Sequence, residues 1–177
     1  MKAIDKPVYL IIITLLFLFS SCGESVNNSK GEFNGTDFCL MIGTDDIRSV
    51  FNLNSGVEIE QDKNLDQICY YKWTADDINY TIRLTKAKWD QKSSAEVNKT
   101  WEKQNESNYN KYDLETVQGV GDKASWSDYE KGQLRFVADG YFFYLSLYND
   151  SSSESPEGKQ DRIDKAAQLA NVIIDKM

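Results

Sequence analysis

The stretch QICYYKWTADDINYTIRLTKAKW, residues 67–89, decides the fold class of this chain. Aromatic and β-branched residues, which favour extended backbone, fill both sides of the dipeptide Asp76-Asp77. Two such runs separated by a pair of turn-forming residues are typical of a β-hairpin. We therefore predict two antiparallel strands that are joined by a turn at Asp76 and Asp77.

A second stretch, LRFVADGYFFYLSL (residues 134–147), has the same pattern of strand, Ala-Asp turn and strand. The likeness between the two stretches predicts two similar halves in the domain. In the second stretch Phe142 and Tyr144 alternate with Phe143 and Leu145, so the two pairs should face opposite sides of a sheet. We expect helices to cover the side that carries Phe143 and Leu145.

Helical periodicity occurs in three places, at about residues 45–52, 93–108 and 160–176. A further run, GVEIEQ (56–61), alternates like a strand, and the serine-rich residues 151–160 are predicted to form a loop. The order is then helix, strands, helix, strands, helix. Such grouping favours an α+β fold over alternating βαβ units. We predict a mainly antiparallel sheet with helices packed on one face.

The first 21 residues have the composition of a secretory signal peptide. Lys2 and Lys6 precede a predominantly apolar run from Val8 to Phe19. A helix needs roughly 20 apolar residues to cross the hydrocarbon core, so this run is short for a membrane span. A basic start, a short apolar middle and small residues at its end are typical of an export signal. We predict that residues 1–21 are removed.

The residues around the predicted cleavage point, Ser20-Ser21-Cys22-Gly23, resemble the lipobox of bacterial lipoproteins, although Phe19 stands where that motif usually has leucine. The resemblance implies cleavage before Cys22, whose sulfur then carries a diacylglycerol. Residues 22–36 would form the lipidated N-terminus and a flexible tether, and residues 37–177 a single folded domain. The alternative is an ordinary signal peptide with Cys22 as a bystander thiol.

The charge balance narrows the choice of partners. The chain has 20 basic and 28 acidic side chains, a net charge of −8, and removal of residues 1–21 makes the remainder one unit more negative. An acidic chain is a poor ligand for nucleic acid or anionic headgroups, so membrane attachment would come from acyl chains. We predict an exported domain that is lipid-anchored to a bacterial membrane, the outer membrane in a Gram-negative cell. Its domain would face the periplasm or the cell surface.

The aromatic residues of the predicted strands leave two interpretations open. They either fill a β-rich core or form an exposed face that binds a glycan, a peptide or an envelope protein. The residues concerned are Tyr71, Trp73, Tyr80, Trp89, Tyr141 and Phe143.

Cys39 and Cys69 are the cysteines that remain once Cys22 is set aside. In an oxidising compartment an even number favours pairing, and a bond between them would close a loop of about 30 residues, worth roughly 3–4 kcal/mol. A metal pair and a redox pair are the alternatives. A metal site usually has four ligands and the chain has no histidine, whereas redox cysteines usually form C-x-x-C. We predict a structural disulfide and neither metal nor cofactor.

The absence of histidine also removes the commonest general base and the Ser-His and Cys-His nucleophile pairs. Carboxylates remain, in the pairs Asp45-Asp46, Asp76-Asp77 and Glu58/Glu60. We interpret these pairs as helix N-terminal charge, turn residues and the solvent face of a strand. The sequence therefore predicts a protein without catalytic residues, with a carboxylate-dependent hydrolase as the alternative.

The segment GVGDKASW (119–126) is the most distinctive short motif of the domain. Its simplest interpretation is a turn or bulged strand that packs Trp126 in the core. The alternative is a ligand-facing loop in which Lys123 and Trp126 are presented together. The candidate binding residues are Gly119, Gly121, Asp122, Lys123 and Trp126.

Several short patterns together resemble small bacterial lipoproteins whose molecular functions are largely unassigned. They are Cys39, TDDI (44–47), CYYKW (69–73), GVGDKA (119–124), ADGYFFYLSL (138–147) and AAQLA (166–170). The likeness is loose over about residues 37–176, and the cysteine pair and the G-D-x-A turn are its specific parts. It implies a compact α+β domain, in some cases akin to the PsbP-like fold, and implies no catalytic residue. We predict a binding or accessory module, with an acidic inhibitor or immunity-type protein as a further alternative.

Overall fold

One antiparallel sheet of seven strands organises the described part of the chain. The structure, a computed structural model, describes residues 38–65, 68–88, 91–150 and 156–177. The strands are β1 (Glu60–Leu65), β2 (Ile68–Ala75), β3 (Ile78–Lys86), β4 (Glu115–Thr116), β5 (Lys123–Ser127), β6 (Gln133–Ala138) and β7 (Tyr141–Asn149). The helices are α1 (Thr44–Phe51), α2 (Ser94–Ser107) and α3 (Pro156–Asp175). The predicted α+β class is confirmed.

Both predicted hairpins are present. Asp76 and Asp77 have φ angles of 51° and 60°, and Asp139 and Gly140 have φ angles of 47° and 76°. Two consecutive residues with positive φ form the tight turn whose twist matches that of the flanking strands. Aspartate and glycine tolerate this backbone better than other residues, which explains why these dipeptides join the strands.

The two hairpins meet at the centre of the sheet, whose strand order is β1-β2-β3-β7-β6-β5-β4. Strand β3 ends the first hairpin and β7 ends the second, and these two strands pair antiparallel. The likeness between the two stretches therefore extends to the turns and to the place of each hairpin. The prediction that the halves as a whole are similar stays a prediction.

The first face of the sheet is apolar and carries the main core. The face is defined by Cys69, Tyr71, Trp73, Ile82, Leu84, Trp126, Leu134, Phe136, Phe143, Leu145 and Leu147, all of them buried. Helices α1 and α3 cover it with Ile47, Ile163, Leu169 and Ile173. These aliphatic side chains repeat at helical spacing, so each helix buries one stripe. This packing agrees with the expectation for Phe143 and Leu145.

The second face of the sheet is largely polar and packs against α2. The face is defined by Arg83, Ser125, Ser127, Gln133, Arg135, Val137, Phe142, Tyr144 and Ser146. A small apolar cluster joins Val97 of α2 to Ala87, Val137 and Phe142. The apolar stripe of α2 is narrow, which suits a largely polar face. Helix α2 therefore covers the second face, whereas α1 and α3 cover the first.

Element boundaries differ from the predictions in two places. The strand expected at 56–61 begins at Glu60. The loop expected at 151–160 ends earlier, because α3 begins at Pro156. Proline is favoured in the first turn of a helix, where its missing N–H and fixed φ cost nothing. The predicted signal peptide (1–21), the lipidation residue Cys22, the tether and Trp89 lie outside the described residues.

The predicted disulfide between Cys39 and Cys69 is present, with 5.5 Å between the Cα atoms. It ties the segment before α1 to strand β2. The Tyr71 hydroxyl strengthens this attachment, since its oxygen lies 2.7 Å from the carbonyl oxygen of Cys39 and 2.9 Å from that of Ile42. Tyr71, Trp73 and the aromatic pair Phe136–Phe143 are buried, so these aromatic residues fill the core.

Candidate ligand-binding site

A groove of about 360 Å³ opens on the second face beside α2. We call it the α2 groove. It is bounded by Trp101 and Asn105 of α2, by residues 116–123, and by Ser125 and Arg135 of the sheet. Ligand sites in proteins usually enclose about 300–1,000 Å³, so the groove has room for one small molecule.

The predicted loop forms one wall of this groove. Gly121 has a φ of 51°, and a Cβ atom at this position would lie 2.2 Å from the carbonyl oxygen of Val137. Only glycine fits so close to the neighbouring strand. The N–H of Asp122 then donates to the same carbonyl oxygen at 2.8 Å, which fastens the loop to β6. Gly119, with a φ of 76°, faces open space.

The structure agrees with the simpler interpretation of this segment, in which Trp126 packs in the core, and does not present Lys123 and Trp126 together. Successive residues of a strand face opposite sides, and Trp126 lies on the first face, fully buried in the main core. Lys123 instead lies beside Trp101, with its Nζ atom 6.0 Å from the centre of that ring. Of the five candidate binding residues, four line the groove, and Trp126 does not.

Arg135 is the central charged residue of the groove wall and is only 1% exposed. Its guanidinium carbon lies 3.7 Å from the centre of the Trp101 ring and 4.4 Å from that of Tyr109. Aromatic faces attract cations, and both rings also shield this one from water. The guanidinium therefore contacts two aromatic rings, one on α2 and one directly after the end of that helix.

The hydrogen bonds of Arg135 all go to neutral groups. Its guanidinium donates to Gln104 Oε1 at 3.1 Å, to Asn105 Oδ1 at 2.5 Å and to Ser125 Oγ at 3.3 Å. Its Nε–H is buried and has no acceptor within the described part of the chain. Burial lowers the pKa of Arg135, but an arginine stays charged at any physiological pH.

Neither Arg135 nor Lys123 forms an ion pair with any carboxylate in residues 38–65, 68–88, 91–150 or 156–177. Buried charges in proteins are usually paired, because an unpaired one loses several kcal/mol of hydration. Asp122 is the acidic residue that lines the groove. The groove wall thus carries two cations and one anion, whereas the whole chain is acidic.

A network of neutral polar groups lies behind the groove. The Tyr109 hydroxyl donates to Gln133, whose side-chain N–H donates to Ser146 Oγ at 3.1 Å. Gln104 donates to the Tyr144 hydroxyl oxygen at 2.7 Å. Burial raises the pKa of Tyr109 and the pKa of Tyr144, so both phenols stay neutral and serve as fixed hydrogen-bonding groups.

The three acidic pairs do not line the α2 groove. Asp46 accepts a hydrogen bond from the Gly43 N–H at 2.7 Å, at the start of α1. Asp76 and Asp77 are exposed in the first hairpin turn. Among the described residues, no group of three or more potential ligands could hold a metal ion.

A second cavity, of about 440 Å³, lies near the first hairpin. Trp73 and Tyr80 stack there with 5.2 Å between their ring centres, and Glu58, Glu60 and Lys72 supply its charges. Its lysine is exposed and its tryptophan ring is mostly buried against α1. This cavity presents charges to solvent, so it is the weaker candidate.

Sequence reasoning missed Trp101, Asn105 and Arg135 as groove residues. In the sequence, Trp101 follows Val97 by four residues, which indicates one apolar stripe of a helix, and Arg135 lies in an otherwise apolar strand sequence. A single arginine in such a strand was the one feature of the sequence that could have pointed to a buried charge at this position.

No family model, curated protein or solved structure that we compared with this chain matches it. Within the described ranges, the helices are too short or too polar for any of them to span a lipid bilayer.

Proposed function

We propose that this chain is an exported, lipid-anchored protein whose domain is a non-catalytic binding module, with the α2 groove as its ligand site. The anchor rests on the lipobox-like residues around Cys22 and on the short apolar run before them. The ligand site rests on the geometry of the groove, where charged, amide, hydroxyl and aromatic side chains converge on one small cavity.

One observation carries the binding proposal: a buried arginine lines a cavity and has no anionic partner among the described residues. A buried charge without a counterion loses several kcal/mol of hydration, and neutral hydrogen-bond partners return only part of it. Packing alone is therefore a weak reason to have arginine at position 135. A role in ligand binding gives a direct reason.

Among the described residues, the groove lining contains one carboxylate, that of Asp122, which supports a binding module over a carboxylate-dependent hydrolase, since such an enzyme needs two carboxylates near one reacting bond. An inhibitor acting through an acidic surface is the other alternative. It would form a tight, salt-sensitive complex with a basic enzyme in a pull-down from native envelopes.

The anchor is tested by metabolic labelling with a fatty-acid analogue. The wild-type protein should carry the label, and Cys22→Ala should not. Equal labelling of both proteins would overturn the anchor. Cys39 and Cys69 remain in both proteins as internal controls, and they should not carry the label because they are paired with each other.

The ligand site is tested by native mass spectrometry of the protein mixed with the small-molecule fraction of envelope extract. Thr116 lies on edge strand β4 and lines the groove, so Thr116→Trp should fill it and remove the bound mass. Thr74→Trp fills the second cavity and is the matched control. Loss of the bound mass in Thr74→Trp, with retention in Thr116→Trp, would place the site elsewhere.

A further inference from the structure

We infer that the ligand of the α2 groove is a small organic carboxylate, whose charged group contacts Lys123 in the electric field of Arg135. This inference rests on the proposed function and names the chemical class of its ligand. Three independent properties of the groove support it: its charge, its free hydrogen-bond donors and its apolar surface.

The charge of the groove favours one negative charge on the ligand. Its charged lining residues are Asp122, Lys123 and Arg135, so the wall has a net positive charge. Lys123 Nζ lies 6.0 Å and the Arg135 guanidinium carbon 3.7 Å from the centre of the same Trp101 ring, so both cations belong to this part of the groove. An adjoining cavity of about 190 Å³ shares Asp122 and Lys123 and adds Lys92. A monoanion balances this wall, whereas Asp122 would repel the second charge of a dianion.

Hydrogen-bond donors for a carboxylate are present beside these cations. Asn105 uses its carbonyl oxygen for Arg135, which leaves its side-chain NH₂ group without an acceptor in the described part of the chain. Lys123 is half-buried and can supply an ammonium donor. Bonds from such charged donors to a carboxylate are about twice as strong as neutral ones. Arg135 itself is too deeply buried to contact the ligand over a large area, so its charge attracts the carboxylate from within the wall of the groove.

The remaining surface of the groove suits an organic group attached to that carboxylate. The half-buried side chains of Trp101, Leu114 and Val117 contribute apolar surface to the lining. Burial of apolar area yields about 25 cal/mol per Å², so a hydrocarbon or aromatic body adds affinity that an inorganic anion lacks. A free organic acid and the C-terminal carboxylate of a peptide share this chemistry.

The test is calorimetric titration of the full chain in detergent with benzoate and with benzamide, its neutral isostere. We expect benzoate to bind and benzamide to bind at least about tenfold more weakly, because the amide lacks the charge that Lys123 contacts. Lys123→Met should weaken benzoate about tenfold. Lys103→Met removes an exposed lysine of α2 outside the groove and is the matched control, expected to change nothing.

Two further titrations separate the sources of the carboxylate and the kind of anion. N-benzoylglycine resembles a peptide C-terminus, so tighter binding than benzoate would indicate a peptide, and weaker binding a free acid; both outcomes support the inference. Inorganic phosphate should not displace benzoate at equal concentration. Arg135 is left unchanged in these experiments because it also links α2 to the sheet.

The inference is overturned if benzoate does not bind, if benzamide binds equally well, if Lys123→Met has no effect, or if phosphate competes equally. These failures are distinct from failure of the proposed function. If Thr116→Trp still removes a native ligand mass while benzoate does not bind, the groove is a ligand site for another chemical class. If benzoate binds and Thr116→Trp retains the native mass, the native ligand lies outside the groove.

Discussion

The two faces of the sheet are built from the same strands but differ in every property that matters for function. The first face is covered by α1 and α3, is apolar throughout its centre and is fastened by the Cys39–Cys69 disulfide. The second face is covered in part by α2 and buries Arg135, Gln133 and Ser146. One face gains free energy from burying apolar area, at about 25 cal/mol per Å². The second face buries polar groups, whose burial contributes little free energy to folding.

Under the proposed function, this difference assigns stability to the first face and ligand binding to the second. A polar face that costs stability is retained where the polar groups have another use, and the α2 groove lies on that face. The first face can then supply most of the free energy of folding. Substitutions at equivalent positions on the two faces test this division.

The largest effect should come from Phe143→Ala on the first face. Phe143 is fully buried and stacks on Phe136 with 5.0 Å between the ring centres, so its loss opens a cavity in the main core. We expect the free energy of unfolding to fall by about 3–5 kcal/mol in urea denaturation. Phe142→Ala, one residue away on the second face, is the matched comparison. It should cost less, because its apolar cluster is small. Equal losses would contradict the division.

Removal of the disulfide should come next. The double variant Cys39→Ala/Cys69→Ala frees a loop with a sequence separation of 30 and should lower the free energy of unfolding by roughly 3–4 kcal/mol. Chemical reduction of the wild-type protein should produce the same loss in thermal unfolding. A reduced protein as stable as the oxidised one would show that the first face does not need this covalent link.

Arg135→Met should have a smaller effect, although Arg135 is as deeply buried as the core residues. The substitution removes three hydrogen bonds and two ring contacts, but it also removes a buried charge, so we expect a loss of about 1–2 kcal/mol. Phe136→Ala, the next residue of β6 but on the first face, should cost about 3–5 kcal/mol. Comparable losses in urea denaturation would show that the second face is a structural core as well.

Tyr71→Phe should have the smallest effect at neutral pH, about 1 kcal/mol, since it removes one hydroxyl. Burial raises the pKa of Tyr71 to about 12, the hydrogen bond from Gln61 opposes this shift, and the charge of Asp46 adds to it. Because the native pKa exceeds the ordinary value near 10, the contribution to stability is complete below pH 10 and is lost as the pH rises towards 12. Tyr71→Phe should lack this part of the alkaline loss.

Denaturation at pH 8 and pH 11 measures this difference. Tyr70→Phe, on the same strand, keeps the Tyr71 hydroxyl and should follow the wild-type protein. Tyr109 and Tyr144 on the second face contribute their own alkaline loss to all three proteins, because burial raises both pKa values. An unchanged slope in Tyr71→Phe would show that the first face contains no pH-sensitive contact at this position.

The fold was predictable where local chemistry decides it. The dipeptides Asp76-Asp77 and Asp139-Gly140 accept positive φ, so each hairpin could be read from the sequence. The disulfide could be predicted because two cysteines remain once Cys22 is assigned to the predicted lipid anchor. The face of the sheet that α2 covers could not be predicted from the sequence, because the short apolar stripe of Val97 and Trp101 could pack on either face.

The groove was predictable only in part. The glycines and charged residues of the loop were found because their pattern is unusual, and Gly121 is required where the loop touches Val137. Trp101, Asn105 and Arg135 were missed because they come from two elements that are far apart in the chain. Trp126 packs in the core, as the simpler interpretation of its segment predicted, and it does not line the groove with Lys123 because the two side chains lie on opposite faces of β5.

Local sequence and composition account for the hairpins, the paired cysteines and the acidic character of the chain, since each depends on neighbouring residues or on residue counts. The tertiary structure alone decided that Lys123, Trp101 and Arg135 meet in one groove. Strand pairing and helix packing bring distant residues together, and the free energy of those contacts is not encoded in any short segment. The candidate site depends on that long-range packing.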